Sequence, residues 1–134
     1  MKINGRTIFA GKACGKTLVT RMGISFYGGV DPESGMVVEK NHELEGKSIA
    51  GRILVFPSGK GSTVGSYTLY RLKANGLAPA AIINAECETI TAVGCIISEI
   101  PCLDKIALEQ IPDGCLASVD GTAGYLEIVE ETEK

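Results

Sequence analysis

Gly51-Arg52-Ile53-Leu54-Val55-Phe56-Pro57-Ser58-Gly59-Lys60-Gly61-Ser62-Thr63 is the stretch on which the fold turns. Ile53–Phe56 is a short all-apolar run, as in a strand buried on both faces. Pro57 stops it, and Ser58-Gly59-Lys60-Gly61 is a loop by composition. Ser62 or Thr63 then offers a helix N-cap. Val64, Gly65, Thr68, Leu69 and Leu72 fall on one helical face, with Ser66, Tyr70, Arg71 and Lys73 on the other. Gly76 supplies the stop. Ala80-Ala81-Ile82-Ile83 reads as a second buried strand. Residues 53–83 therefore predict strand–loop–helix–strand, the form of a parallel crossover.

Outward from this unit, residues 1–50 read as short strands cut by glycine. Thr17–Thr20 and Met36–Val38 are candidates, separated by the Gly, Pro and Asp-rich loop Tyr27–Gly35. On the other side, Ile90, Val93, Ile96 and Ile97 recur at helical spacing between Glu88 and Ser98, and Pro101 limits that helix. Leu116–Asp120 and Tyr125–Val129 flank Gly121-Thr122-Ala123-Gly124 as a terminal hairpin. Neither a repeat nor a low-complexity linker is evident. The expected class is mixed α/β: a glycine-rich β part joined to a βαβ part.

At 134 residues the chain suits one domain spanning 1–134. With 45% apolar and 22% charged residues it has the composition of a folded chain. The net charge of −3 resides in the last eight residues, Glu127–Lys134, read as a short acidic tail from about residue 127. The balanced remainder lacks the basic footprint of a nucleic-acid binder. The sequence offers no signal peptide or membrane span, so a cytoplasmic protein is expected. Five cysteines without CxxC spacing read as free thiols in or near the core. No metal site is expected on this chain.

Ala10-Gly11-Lys12-Ala13-Cys14-Gly15-Lys16-Thr17 meets a permissive phosphate-loop pattern, but strand-like residues follow where a helix is required. The Ser58–Thr63 loop is better placed, since ligands bind outside the carboxyl ends of strands in α/β sheets. Its bland reading is a turn with Ser62 as cap. Its functional reading is an anion site with Ser62 presented to substrate and Lys60 adding a cation. His42 lies in a polar stretch and reads as an exposed residue. Asp31 either caps a turn or orients substrate. Asn84 and Glu86 end the second buried strand on the rim shared with Ser62. Tyr67 and Tyr70 read as helix-surface or interface residues.

Phe26-Tyr27-Gly28-Gly29-Val30-Asp31-Pro32, Ile53–Ser62, Ala81-Ile82-Ile83-Asn84, and Gly94-Cys95-Ile96-Ile97 with Ile100-Pro101 together resemble the aconitase X swivel domain family. The similarity runs from about residue 3 to about 129. It implies a swivelling β/β/α fold. It implies a hydro-lyase active only with a large partner subunit that carries a four-iron–four-sulfur cluster. The implied reaction takes a small phosphorylated hydroxy acid, (R)-5-phosphomevalonate, to trans-anhydromevalonate 5-phosphate in the archaeal mevalonate pathway. Ser62 matches the proton-accepting serine of such enzymes, with Lys60, Gly61 and Thr63 beside the substrate. The same architecture acting on another hydroxy acid, as in cis-3-hydroxyproline dehydration, and a non-catalytic anion-binding module are the alternatives.

Overall fold

The computed structural model describes residues 1–130. Eight strands form it: β1 (Lys2–Asn4), β2 (Arg6–Phe9), β3 (Lys12–Val19), β4 (Ile53–Phe56), β5 (Ala81–Asn84), β6 (Cys102–Asp104), β7 (Leu116–Asp120) and β8 (Tyr125–Glu130). Their order is β1-β8-β7-β3-β4-β5-β6-β2. Three α-helical segments, α1 (Phe26–Gly29), α2 (Gly65–Ala74) and α3 (Thr89–Ser98), and a 3-10 turn at Leu108–Gln110 join them. Tyr27 and Gly28 depart from helical torsions, so α1 is no more than a turn.

The parallel crossover is present. β4 pairs in parallel with β5, Ile53 opposite Ala81 and Phe56 opposite Asn84, with α2 between them. β5 pairs in parallel with β6 around α3, repeating the unit. Alternation along β4 explains its unbroken apolar run. Leu54 and Phe56 join Leu69, Leu72 and Cys95 beneath the helices. Ile53 and Val55 face the opposite way, onto Ala117, Val119 and Leu126 of the β7–β8 hairpin. Two sheet layers and one helix layer result. β3 links the layers: Lys12–Lys16 pair antiparallel with β7, and Thr17–Val19 pair in parallel with β4.

The phosphate-loop lookalike lies in and before β3, an extended strand, as the strand-like residues that follow it predict. Several other expectations are corrected. Met36 and Val37 make isolated bridges to Ser48 and Val30, not a strand. His42 is buried: its ring Nδ1 accepts from the Leu44 N–H, so Nε2–H donates to the Gly23 carbonyl at 3.0 Å. Glu127–Glu130 belong to β8, so the acidic tail does not begin at 127; residues 131–134 lie outside the described residues. Gly65, Thr68, Leu69 and Leu72 of α2 are buried as predicted, but Ser66 is buried too and Val64, just before the helix, is exposed. The Ser66 hydroxyl donates to the Ile90 carbonyl at 2.7 Å. On α3 the buried residues are Thr91, Gly94, Cys95 and Ser98, while Val93, Ile96 and Ile97 face outward. A Cβ on Gly94 would stand 2.5 Å from Leu69 Cδ1, so the small face lets α3 lie close against α2. No helix among the described residues is long and apolar enough to cross a membrane.

One ion pair anchors the sheet edge. Arg6 on β2 donates through Nε and Nη2 to the two oxygens of Asp104 on β6, at 2.9 and 2.8 Å. The Asp104 side chain is fully buried and also accepts from the Cys87 N–H at 2.9 Å. Burial opposes its charge, but the Arg6 and Cys87 hydrogen bonds and the nearby cations hold its carboxyl below the usual range. A depressed native pKa stabilises the fold above the unfolded value, near ~3.9, and that stability is lost as pH falls through the native value. Arg6→Ala is therefore expected to lower the thermal midpoint at pH 7, by an amount that shrinks at pH 3. Melts at both pH values check this; an equal loss at both would contradict it.

Candidate active-site loop

The Ser58–Thr63 loop leaves the carboxyl end of β4 and enters α2. A second segment pins it in place. Gly59 bridges Ile24; the Lys60 N–H donates to the Ile24 carbonyl at 3.0 Å, and the Ile24 N–H to the Ser58 carbonyl at 3.3 Å. Two glycines are required. A Cβ on Gly59 would overlap the Glu88 carboxylate and the Thr91 hydroxyl at the start of α3. Gly61 has φ +94°, and a Cβ there would overlap the Ser25 hydroxyl.

Ser62 is exposed on the turn that follows. Its Oγ accepts from the Val64 N–H at 3.1 Å, and its carbonyl from the Gly65 N–H at 2.9 Å. The helix proper begins at Gly65, so Ser62 caps the preceding turn rather than the helix. Its oxygen sits off the positive end of a ten-residue helix with one amide donor on it, an arrangement that favours negative charge there.

Lys60, Gly61, Ser62 and Thr63 stand together on this loop, as the sequence predicts. The charge on Lys60 is not free: Nζ pairs with Glu39 Oε2 at 3.1 Å. Ser25, Tyr27, Gly28, Gly29 and Glu39 join Lys60 and Gly61 around an open depression of about 400 Å³. The sequence does not single out Ser25 and Glu39: the Ile24–Gly59 bridge brings Ser25 to the loop, and the Val38 and Glu39 N–H bonds to the Gly29 carbonyl bring Glu39 there. The other rim candidates have structural work. Asp31 closes its own turn, accepting from the Glu33 N–H and the Ser34 hydroxyl, each at 3.0 Å. Asn84 Nδ2 donates to the Phe56 carbonyl at 2.9 Å, tying β5 to β4. Glu86 pairs with Lys105 at 2.6 Å. Glu88 caps α3, its carboxylate accepting from the Ile90 and Thr91 N–H groups.

Residues 2–128 match the family described as the aconitase X swivel domain. This chain belongs to that family. The swivel domain is 56% identical over 133 residues to the phosphomevalonate dehydratase small subunit of Methanosarcina acetivorans, covering 97% of this chain and 92% of that one. It is 52% identical to the protein of the same name from Thermococcus kodakarensis, covering 99% and 100%. Among solved structures it superposes on aconitase X of Thermococcus kodakaraensis, in its holo-form, with a TM-score of 0.95 and 52% identity, covering 97% and 99%. The microcin C7 immunity protein MccF, 16% identical at a TM-score of 0.52, shares the fold alone. The swivelling β/β/α architecture that the resemblance implied is the one observed.

The described residues of this swivel domain do not fit an iron–sulfur cluster. Among the described residues, no three His, Cys, Asp or Glu side chains converge as metal ligands. Cys95, Cys102 and Cys115 are buried and Cys14 is exposed. Cys87 reaches Cys102 at 4.0 Å; that contact and burial push the Cys87 thiol far up, and in Cys102, where the Cys87 contact favours the thiolate, the hydrogen bond with Cys95 and burial outweigh it and push that thiol up too, away from the thiolate a metal needs.

Proposed function

We propose that this swivel domain is the small subunit of a cytoplasmic phosphomevalonate dehydratase, and that Ser62 is its proton acceptor. The observation that carries the role of Ser62 is its exposed Oγ, held off the start of α2 with the Val64 N–H directed onto it. A serine is a weak base at neutral pH, so it acts here as an alkoxide stabilised by the amide and the helix terminus. It takes the proton on the carbon next to the substrate carboxylate. The electrons of that C–H bond become the new double bond as the C–O bond to the neighbouring hydroxyl breaks, and the departing hydroxide with the proton taken by Ser62 leaves as one water. Lys60, offset by Glu39, contributes less positive potential than an unpaired lysine would. The rest of the site, including a four-iron–four-sulfur cluster, belongs to a large partner subunit. Gly61 and Thr63 line the substrate side of the turn.

Relatives at 52–56% identity, matched over nearly their whole length, carry the name of the phosphorylated substrate, which favours it over a hydroxyproline-type acid. The test is substrate discrimination by the chain paired with the large subunit of the same organism. Mass spectrometry is expected to find trans-anhydromevalonate 5-phosphate formed from (R)-5-phosphomevalonate, and no turnover of cis-3-hydroxyproline. Preferential turnover of the latter would reject the assignment.

A further inference from the structure

The outer face of α3 and the adjoining start of α2 expose a cluster of large apolar side chains. Tyr67 is 67% exposed, Ile96 49%, Val64 43%, Val93 41% and Ile97 40%. Helix α3 has no charged residue from Thr89 to Ser98. Its small residues are turned inward against α2 and its branched residues outward, the reverse of a helix that ends at water. Between the helices runs a groove of about 440 Å³ lined by Val64, Tyr67, Ile90, Val93 and Ile97, among others. Exposed aliphatic and aromatic side chains with charge depleted are the mark of an interface centre.

The groove does not lie at random. Thr63 and Val64 line its upper end, directly after Ser62, and Thr89 and Ile90 open its other wall. Both helices start at the carboxyl edge of the sheet, so the groove runs down from the active-site rim. Among the described residues, no three His, Cys, Asp or Glu side chains converge to hold a cluster. A subunit that brings one to Ser62 has to cover that rim, and the groove opens beside it at Thr63 and Val64. We infer that the α2–α3 groove seats the large subunit, with Tyr67, Val93 and Ile97 at the centre of the contact. This rests on the two-subunit reading above.

The test is binding of the native chain and of Tyr67→Glu and Val93→Glu to the cluster-loaded large subunit, by calorimetry. Both positions are exposed, so circular dichroism is expected to match the native chain; Tyr67→Ala and Val93→Ser repeat the test with milder changes. Val129→Glu, on the exposed face of β8, is the control. The charged variants are expected to bind at least about 30-fold more weakly, as loss of an interface centre does, while the control and Ser62→Ala bind as the native chain does. A tight, active native complex that the charged variants join equally well overturns the groove alone. No complex with the native chain overturns both the groove and the two-subunit reading. Charged variants that dissolve a self-associated native chain yet pair normally would seat a second copy there and overturn the inference.

Discussion

Ser62→Ala is expected to pair with the large subunit normally and to lose turnover by about 1,000-fold or more. Removing a positioned base costs on the order of 10²–10⁴-fold in rate. The upper part of that range applies because the exposed loop offers no obvious substitute: Lys60 is cationic and engaged with Glu39, and the Glu88 carboxylate is committed to the start of α3. Stability should barely move. Ser62 is exposed, and the Val64 N–H it leaves behind can turn to water, so the change is about 1 kcal/mol or less. Turnover, melting temperature and affinity for the large subunit separate these effects. Native-like turnover would remove Ser62 from the chemistry.

Gly59→Ala is expected to lower kcat by about 100-fold, the scale of a misplacement near 1 Å. The added methyl would overlap the Glu88 carboxylate and the Thr91 hydroxyl. The carboxylate cannot retreat without releasing the Ile90 and Thr91 N–H groups, each held at 2.9 Å. Either the α3 cap breaks, at about 0.5–2 kcal/mol, or the loop lifts and carries Ser62 with it. Gly46→Ala is the control: Gly46 has φ +85° and no atom within 4 Å of its would-be Cβ. It should lower the melting temperature and leave kcat alone. Native kcat in Gly59→Ala would show that the loop tolerates displacement.

The two parallel crossovers were partly legible in the sequence. Four-residue all-apolar runs have one stable home, a strand covered on both faces, and a loop-helix between two of them dictates parallel pairing. β1, β2 and β6 were not legible. They have three or four residues each, and β1 and β2 are half exposed, so no period marks them. For α3 the sequence marks the helix but not the face it buries, and the reason is physical. Its spacing is helical, but the close approach at Gly94 selects the small face for burial and leaves Val93, Ile96 and Ile97 outside. At the site, glycine content between strand and helix singled out Ser62 and its neighbours. Glu39 and Ser25 depend on pairing across more than twenty residues, which no local pattern encodes. His42 fooled composition: a polar neighbourhood in sequence became a buried hydrogen-bonded ring in the fold.

The division of one active site between two chains is tested most directly by product formation in three parallel reactions on (R)-5-phosphomevalonate. One contains this chain, one the cluster-loaded large subunit, and one both. Product is expected only where both are present, saturating at one small subunit per large subunit. Turnover at the paired rate by either chain alone would contradict that division, and by the large subunit alone would also remove Ser62 as the proton acceptor.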